Sequence, residues 1–213
     1  MLRSKILMLA FAAILIAGML VMVGCEDSVE DVPRTEAEWV ALGWTQWGLG
    51  NYSDAHTNFD NAKKLDDSYA PAYCGNGWTF LREQNNDDAY SELSDGILFG
   101  GGLADTDNTK RALFVGSSAS LLAVDNYTES ASVGRLYAAI DPNHNFVHPS
   151  DSHITAFDAY LILALDYYGL GNETNVTWAI NQLCTIVGDP AWTFTTWDAA
   201  TAKIDALIAK DPS

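Results

Sequence analysis

The feature that most constrains this chain is a stretch of 34 residues, Glu36 to Tyr69, part of which recurs one period later. The tripeptide GWT at 43–45 returns at 77–79, and Ala55 returns as Ala89. A period of this length, with small residues at fixed places, indicates a repeat built from helical hairpins. One hairpin cannot bury its apolar stripe alone, so the sequence predicts several hairpins stacked against each other.

The residues at the fixed places of the first unit follow a known pattern. Numbered from Glu36, the fourth place holds Trp39, and the seventh and eighth hold Leu42 and Gly43. The turn and packing places that follow hold Gly50, Tyr52, Ala55, Phe59 and Ala62. With these residues the unit resembles a tetratricopeptide repeat (TPR). The second unit keeps the pattern at Tyr73, Gly77, Phe80, Ala89 and Leu93.

Two weaker units and a final helix complete the predicted domain. The third unit begins near Arg111, after a Gly-rich insertion at 99–108, and has Ser130 and Gly134 where Ala and Phe are usual. The fourth follows a polar insertion and ends in a helix near 173–187; a short amphipathic helix at 198–210 would cap the stack. The resemblance implies an all-α, right-handed α-solenoid of about four hairpins plus a C-terminal capping helix. It also implies that the first helix of each pair lines a concave groove.

The N-terminus has the pattern of a targeting segment. Arg3 and Lys5 precede an apolar run at 6–23, which is followed by Gly24 and Cys25. The segment resembles a bacterial lipoprotein signal peptide, which implies that Cys25 is lipidated and becomes the first mature residue. The alternative is an uncleaved membrane-spanning anchor; either interpretation places the protein on a membrane of the cell envelope, facing the periplasm or the cell surface. The predicted organisation is therefore a signal peptide at 1–24, an acidic tether at 25–34 and a TPR-like helical domain at 35–213.

The charge of the chain restricts its partners. The formal net charge is −17 at pH 7, and the acidic residues are spread along the sequence. Such a polyanion repels nucleic acid and anionic lipid headgroups, so neither is an expected partner. The charge favours protein partners that carry basic patches.

No motif in the sequence predicts catalysis or a cofactor. The chain has no nucleophile elbow, phosphate-binding loop, metalloprotease motif or dinucleotide-binding turn. One polar segment at 141–153 contains His144, His148 and His153, which together with Asp141 or Asp151 are possible ligands for a transition metal. Pro142 and Pro149 make a helix doubtful here, and the favoured interpretation is a polar loop between repeats, without a bound metal.

The predicted groove carries the candidate binding residues. Trp44 and Trp78 hold the ninth place of successive repeats, a place from which TPR proteins commonly present side chains to ligands. Trp47 and Leu81 hold the twelfth place, and Arg82 stands beside Leu81. Large aromatic side chains in a groove are suitable anchors for an extended peptide or a partner helix. The alternative is that the tryptophans belong to the core between repeats.

These observations predict a membrane-anchored lipoprotein that mediates protein–protein interactions as a scaffold, adaptor or assembly factor of the cell envelope. A second hypothesis is a carbohydrate- or solute-binding lipoprotein in which the same tryptophans stack on the ligand.

Overall fold

The structure is a computed structural model, and it describes residues 33–211. The predicted signal peptide and Cys25 lie outside the described residues. Within the described part the helices are α1 (Glu36–Gly48), α2 (Tyr52–Leu65), α3 (Ala70–Arg82), α4 (Asn86–Phe99), α5 (Asn108–Leu122), α6 (Tyr127–Ile140), α7 (Ala156–Gly169), α8 (Glu173–Val187) and α9 (Trp197–Ile208). A 3-10 turn at Gly100–Gly102 follows α4, and two short strands, β1 (Val147–His148) and β2 (Asp151–Thr155), lie between α6 and α7.

Consecutive helices form four hairpins, α1–α2, α3–α4, α5–α6 and α7–α8, each packed against the next. The first helices of successive hairpins also pack against each other, so α1, α3, α5 and α7 form one layer, which we call the inner layer. The final helix, α9, packs on α8 and α7 at the end of the stack. This arrangement confirms the predicted α-solenoid with its capping helix. None of the helices within residues 33–211 is both long enough and apolar enough to cross a membrane.

The helix boundaries follow local sequence signals. Thr35 accepts a hydrogen bond from the Glu38 amide while the Glu38 carboxylate accepts from the Thr35 amide, and the two residues form a capping box at the start of α1. A second capping box, made by Thr155 and Asp158, begins α7 directly after β2. The α1–α2 turn contains Gly50 at φ +77°, a conformation that glycine adopts without steric cost.

The close packing of the first two hairpins depends on small residues around the Phe59 ring. A Cβ atom added to Gly43 would lie 2.5 Å from this ring, and one added to Gly75 would lie 2.2 Å from it. Both distances are shorter than any van der Waals contact, so α1 and α3 approach α2 at positions where only glycine fits. Phe59 is fully buried between them. The repeat pattern of small residues therefore has a direct steric cause.

The two unusual residues of the third unit have clear structural roles. Gly134 leaves room for Leu163 of α7, since a Cβ atom at this position would lie 2.8 Å from the Leu163 side chain. Ser130 lies in a buried polar group that joins three helices: its hydroxyl is 2.8 Å from the Ser118 carbonyl and 2.7 Å from the Asp166 carboxylate. Asp166 is fully buried, and burial raises its pKa to about 7. The third and fourth hairpins are thus joined by a polar contact that replaces the usual apolar one.

The insertion before α7 differs from the predicted polar loop. Its strands β1 and β2 pair antiparallel, with His148 opposite Asp151, and form a small β-hairpin. We call residues 147–155 the insert hairpin. The sequence does not indicate this hairpin, because a two-residue strand contains too few residues to show an alternating pattern.

A candidate interaction site on the inner layer

The insert hairpin places one imidazole among three tryptophans of the inner layer. The His148 ring centroid lies 5.2 Å from that of Trp44, 5.7 Å from that of Trp47 and 4.4 Å from that of Trp78. The Trp44 and Trp78 contacts are edge-on, and the Trp47 contact is stacked. His148 itself is 2% exposed. The groove predicted for a ligand is therefore occupied, at its aromatic end, by a segment of the same chain.

The three tryptophans differ in how firmly they belong to the core. Trp78 is buried, and its indole N–H donates to the Ala112 carbonyl of α5 at 3.1 Å. Trp47 is 5% exposed, and its indole N–H lies 3.4 Å from the Trp78 carbonyl. Trp44 is half-buried and packs edge-on against Phe59. Trp47 and Trp78 thus join neighbouring repeats and also contact His148.

A charged residue stands beside the aromatic cluster. The Arg82 guanidinium lies 4.8 Å from the centre of the Trp47 ring and donates to the Asp151 carboxylate at 2.7 Å. The Arg82 side chain is 45% exposed, whereas that of Asp151 is 17% exposed. Leu81, which precedes Arg82 in the chain, is half-buried and packs on the apolar core. We call the surface formed by Trp44, Trp47, Trp78 and Arg82 the Trp–Arg site.

The imidazole of His148 is held in its neutral form. The Ser150 amide donates to Nδ1 at 3.2 Å, so in the neutral ring the proton is on Nε2. Among the described residues, the buried Nε2 finds no hydrogen-bond partner. Burial lowers the pKa of His148 to about 4, and the nearby Arg82 charge acts in the same direction, while Asp151 opposes both. The ring therefore enters the site as a neutral aromatic group with one unsatisfied donor.

The base of the insertion is fixed by a buried carboxylate. Asp141 is fully buried and accepts hydrogen bonds from the Asn145 amide, the Phe146 amide and the Tyr137 hydroxyl, each at 2.8 to 2.9 Å. The Arg111 guanidinium of α5 lies 3.2 Å from the same carboxylate. Buried charges are stable when they are paired and hydrogen-bonded in this way. Asp141 thus sets the direction in which the chain leaves α6 toward the inner layer.

A cavity of about 440 Å³ lies beside the Trp–Arg site. Its walls are the α1–α2 turn, the end of α3 and the tip of the insert hairpin, with Trp47, Leu49, Tyr52, Arg82 and Asp151 among the lining residues. Leu49 is 68% exposed there. The cavity leaves the edge of the site open to solvent.

The three histidines of the insertion do not come together as a metal site. His144 Nε2 is 3.0 Å from the Gln182 side-chain oxygen, and its ring packs edge-on against Tyr160. His148 lies among the tryptophans, and His153 is exposed on β2. Within residues 33–211 no group of three or more His, Cys, Asp or Glu residues is placed to hold a metal ion. Asp141, considered as a ligand from sequence, is instead the partner of Arg111.

The repeat pattern predicts that Trp44, Trp47, Trp78 and Arg82 lie in one region, and the structure brings them together. The pattern does not predict the roles of His148 and Asp151 at this site. The available signal was the tetrapeptide at 148–151 (HPSD), since Pro, Ser and Asp are typical turn residues. That signal predicts a turn but not which surface the turn would contact.

The fold and the site define a TPR-like helical-repeat protein with an inner groove occupied by its own insertion. Comparisons agree on the fold. The crystal structure of a kinesin light chain-like protein from Podosopora anserina, described as having nearly identical TPR-like repeats, matches with a TM-score of 0.56 at 11% identity, covering 82% of this chain and 85% of that chain. A variant of that protein matches with a TM-score of 0.57 at the same identity and coverage. No protein-family model and no curated protein matches the sequence.

Proposed function

We propose that this chain is a non-catalytic interaction module, which binds a segment of a partner protein in the groove of its inner layer. The observation that carries the proposal is the occupancy of the Trp–Arg site. A short peptide segment already lies there, with one ring among three tryptophans and one carboxylate on Arg82. Aromatic side chains and Arg are the residues that most often dominate binding energy at protein interfaces. The TPR-like fold is consistent with such a role.

The cellular setting is part of the same proposal. The lipoprotein-like sequence around Cys25 supports a lipid anchor on a membrane of the cell envelope, with the solenoid acting as a scaffold, adaptor or assembly factor. The net charge of −17 supports partners with basic patches, because opposite charges accelerate association and lower the affinity for acidic competitors. In cells that make lipoproteins, the protein is expected to incorporate labelled palmitate, and Cys25→Ser is expected to abolish this labelling. Absence of label from the wild-type protein, or equal labelling of the variant, would contradict lipidation of Cys25.

The alternative of a carbohydrate-binding site has less support. A sugar stacks on a free aromatic face, but Trp47 and Trp78 are buried, and the Trp47 ring contacts both His148 and Arg82. The half-buried Trp44 also contacts the imidazole. We therefore favour a protein partner over an oligosaccharide.

Site-specific crosslinking from intact cells tests the proposed groove. A photoreactive amino acid replaces Leu49, which is 68% exposed and lines the cavity beside the Trp–Arg site. The matched control is Leu98, which is 74% exposed at the end of α4 in the other layer. We expect a discrete partner to crosslink from position 49 and not from position 98. Equal crosslinking from both positions, or none from position 49, would show that the groove is not the binding surface.

A further inference from the structure

The insert hairpin presents two different groups to the Trp–Arg site from one tight turn. His148 and Asp151 are paired across the turn, with Pro149 and Ser150 between them. The ring enters the aromatic cluster, while the carboxylate, three residues later, meets the Arg82 guanidinium at 2.7 Å. The site therefore recognises a ring and a carboxylate held at the spacing of a four-residue turn.

His148 is an imperfect occupant of the aromatic cluster. Its Nε2–H is buried without an acceptor among the described residues, and an unpaired buried donor opposes the closed arrangement. Burial also lowers its pKa to about 4, which shows that the environment disfavours the charged ring. A hydrocarbon ring of similar size would fill the same space and leave no donor unpaired. The site thus fits the hydrocarbon ring of an aromatic side chain better than the imidazole it contains.

The insert hairpin is also weakly supported outside its contacts with the inner layer. It has two strands, of two and five residues, and an isolated two-stranded hairpin is marginally stable in water. Val147 and His153 are exposed on it. The firm attachment through Asp141 lies at its base, several residues before the tip. The tip can therefore leave the site while the helices keep their packing.

We propose that the Trp–Arg site binds a turn of a partner protein in which an aromatic residue is followed, three positions later, by Asp or Glu, and that this turn displaces the insert hairpin. The inference rests on the proposed function, because it names the partner segment for the same groove. Arg82 selects the carboxylate, and the three tryptophans select the ring. Since the whole chain is strongly acidic, the residues that flank this turn in the partner are expected to be basic.

The test uses cyclised synthetic peptides that hold the turn in place and so lose less entropy on binding. The first peptide has the sequence of residues 145–155 with His148→Phe. The second has the native sequence, and the third carries both His148→Phe and Asp151→Asn. Binding to the purified full-length protein is followed by calorimetry, and displacement is followed by amide hydrogen exchange at residues 147–153 of the protein.

We expect the His148→Phe peptide to bind roughly tenfold more tightly than the native peptide, since it leaves no buried donor unpaired. The added Asp151→Asn change is expected to weaken binding about fivefold or more, because the charge-assisted bond to Arg82 is lost. Exchange at 147–153 should accelerate when the His148→Phe peptide binds. Equal affinities for all three peptides, or binding with unchanged exchange at 147–153, would overturn the proposal.

A variant of the protein itself covers the case in which the intact hairpin outcompetes every peptide. His148→Gly removes the competing ring from the protein, and the His148→Phe peptide is expected to bind this variant more tightly than the wild-type domain. Absence of binding to both proteins would also overturn the proposal. Crosslinking from position 49 reports separately on the proposed function: a partner captured there that contains no such turn would show that the groove binds proteins by another chemistry.

Discussion

Arg82, in the last turn of α3, donates a 2.7 Å hydrogen bond to Asp151, which begins β2 and lies 69 residues further along the chain. The contact joins the second repeat to an insertion that follows the third. It also brings a positive charge against the Trp47 ring at 4.8 Å. Through this pair the insert hairpin is held on the inner layer, in the place where we propose that a partner segment binds.

The Arg82–Asp151 pair is expected to keep the insert hairpin on the inner layer and to contribute little to the stability of the helices. Because the Arg82 side chain is 45% exposed, each of Arg82→Gln and Asp151→Asn should lower the free energy of unfolding by only about 0.5–1 kcal/mol. Amide exchange at residues 147–153 should accelerate in both variants. A double-mutant cycle measures the coupling, and additive effects of the two changes would show that the two side chains do not interact.

Trp44 and Trp78 are expected to respond differently to truncation. Trp78→Ala removes a buried ring together with its hydrogen bond to the Ala112 carbonyl, so we expect a loss of roughly 3–5 kcal/mol in the free energy of unfolding. Trp44→Ala should cost clearly less because the ring is half-buried, while still loosening the hairpin. Urea unfolding of both variants measures this difference. Equal losses would contradict the distinction between a core and a groove tryptophan.

Because Asp166 is buried, we expect the free energy of unfolding to fall as the pH rises. Its pKa is raised from an ordinary 3.8 to about 7, so the folded state retains a proton that the unfolded state has already lost. The stabilisation is complete below pH 3.8 and is lost as the pH rises through about 7. The free energy of unfolding should therefore differ by on the order of 4 kcal/mol between these two pH limits, since one pKa unit corresponds to about 1.4 kcal/mol.

The variant Asp166→Asn keeps the shape of the side chain and removes its charge. Its free energy of unfolding should lose this pH dependence, and at pH 8 the variant should be more stable than the wild type. Chemical denaturation between pH 5 and pH 8 provides the comparison. Parallel pH profiles for the two proteins would mean that Asp166 does not titrate in this range.

Two glycines provide a matched test of the close helix packing. A Cβ atom at Gly77 would lie 2.3 Å from Leu93, so Gly77→Ala should destabilise the fold by about 1–3 kcal/mol. Gly48, at the end of α1, has no atom within 4 Å of its added Cβ, and Gly48→Ala should stabilise the protein by about 0.5–1 kcal/mol. Thermal unfolding distinguishes the two. A neutral Gly77→Ala change would show that the first and second helices of the repeat are less closely packed.

The solenoid could be predicted because its cause is local and periodic. Small residues recur every 34 positions, and the recurrence indicates places where helices approach closely, as Gly43 does at Phe59 and Gly77 does at Leu93. The capping box at Thr35 and the extent of α8 were predictable for the same reason: hydrogen bonds and apolar periodicity within one element determine them.

Only the helical part of the site could be predicted from the sequence. The repeat pattern placed the tryptophans and Arg82 on one surface, but the occupant comes from an insertion that follows no repeat. Its position depends on Asp141 and Arg111, which lie 30 residues apart, and on contacts with residues 69 to 104 positions earlier in the chain. Residue type alone makes the histidines of that segment possible metal ligands, although a polar loop without a bound metal is the interpretation that the sequence favours. The structure instead gives each of them a different environment.

The central claim, that the chain occupies its own groove through His148, is tested most directly by the NMR signals of the His148 imidazole as a function of pH. We expect resonances displaced from those of a solvent-exposed imidazole by the ring currents of the surrounding indoles, with a pKa near 4 in place of the ordinary 6.5. A folded pKa below the unfolded value means that acidification from pH 6.5 toward pH 4 should favour release of the hairpin. A His148 signal that titrates near 6.5 with the chemical shifts of a solvent-exposed imidazole would contradict the account.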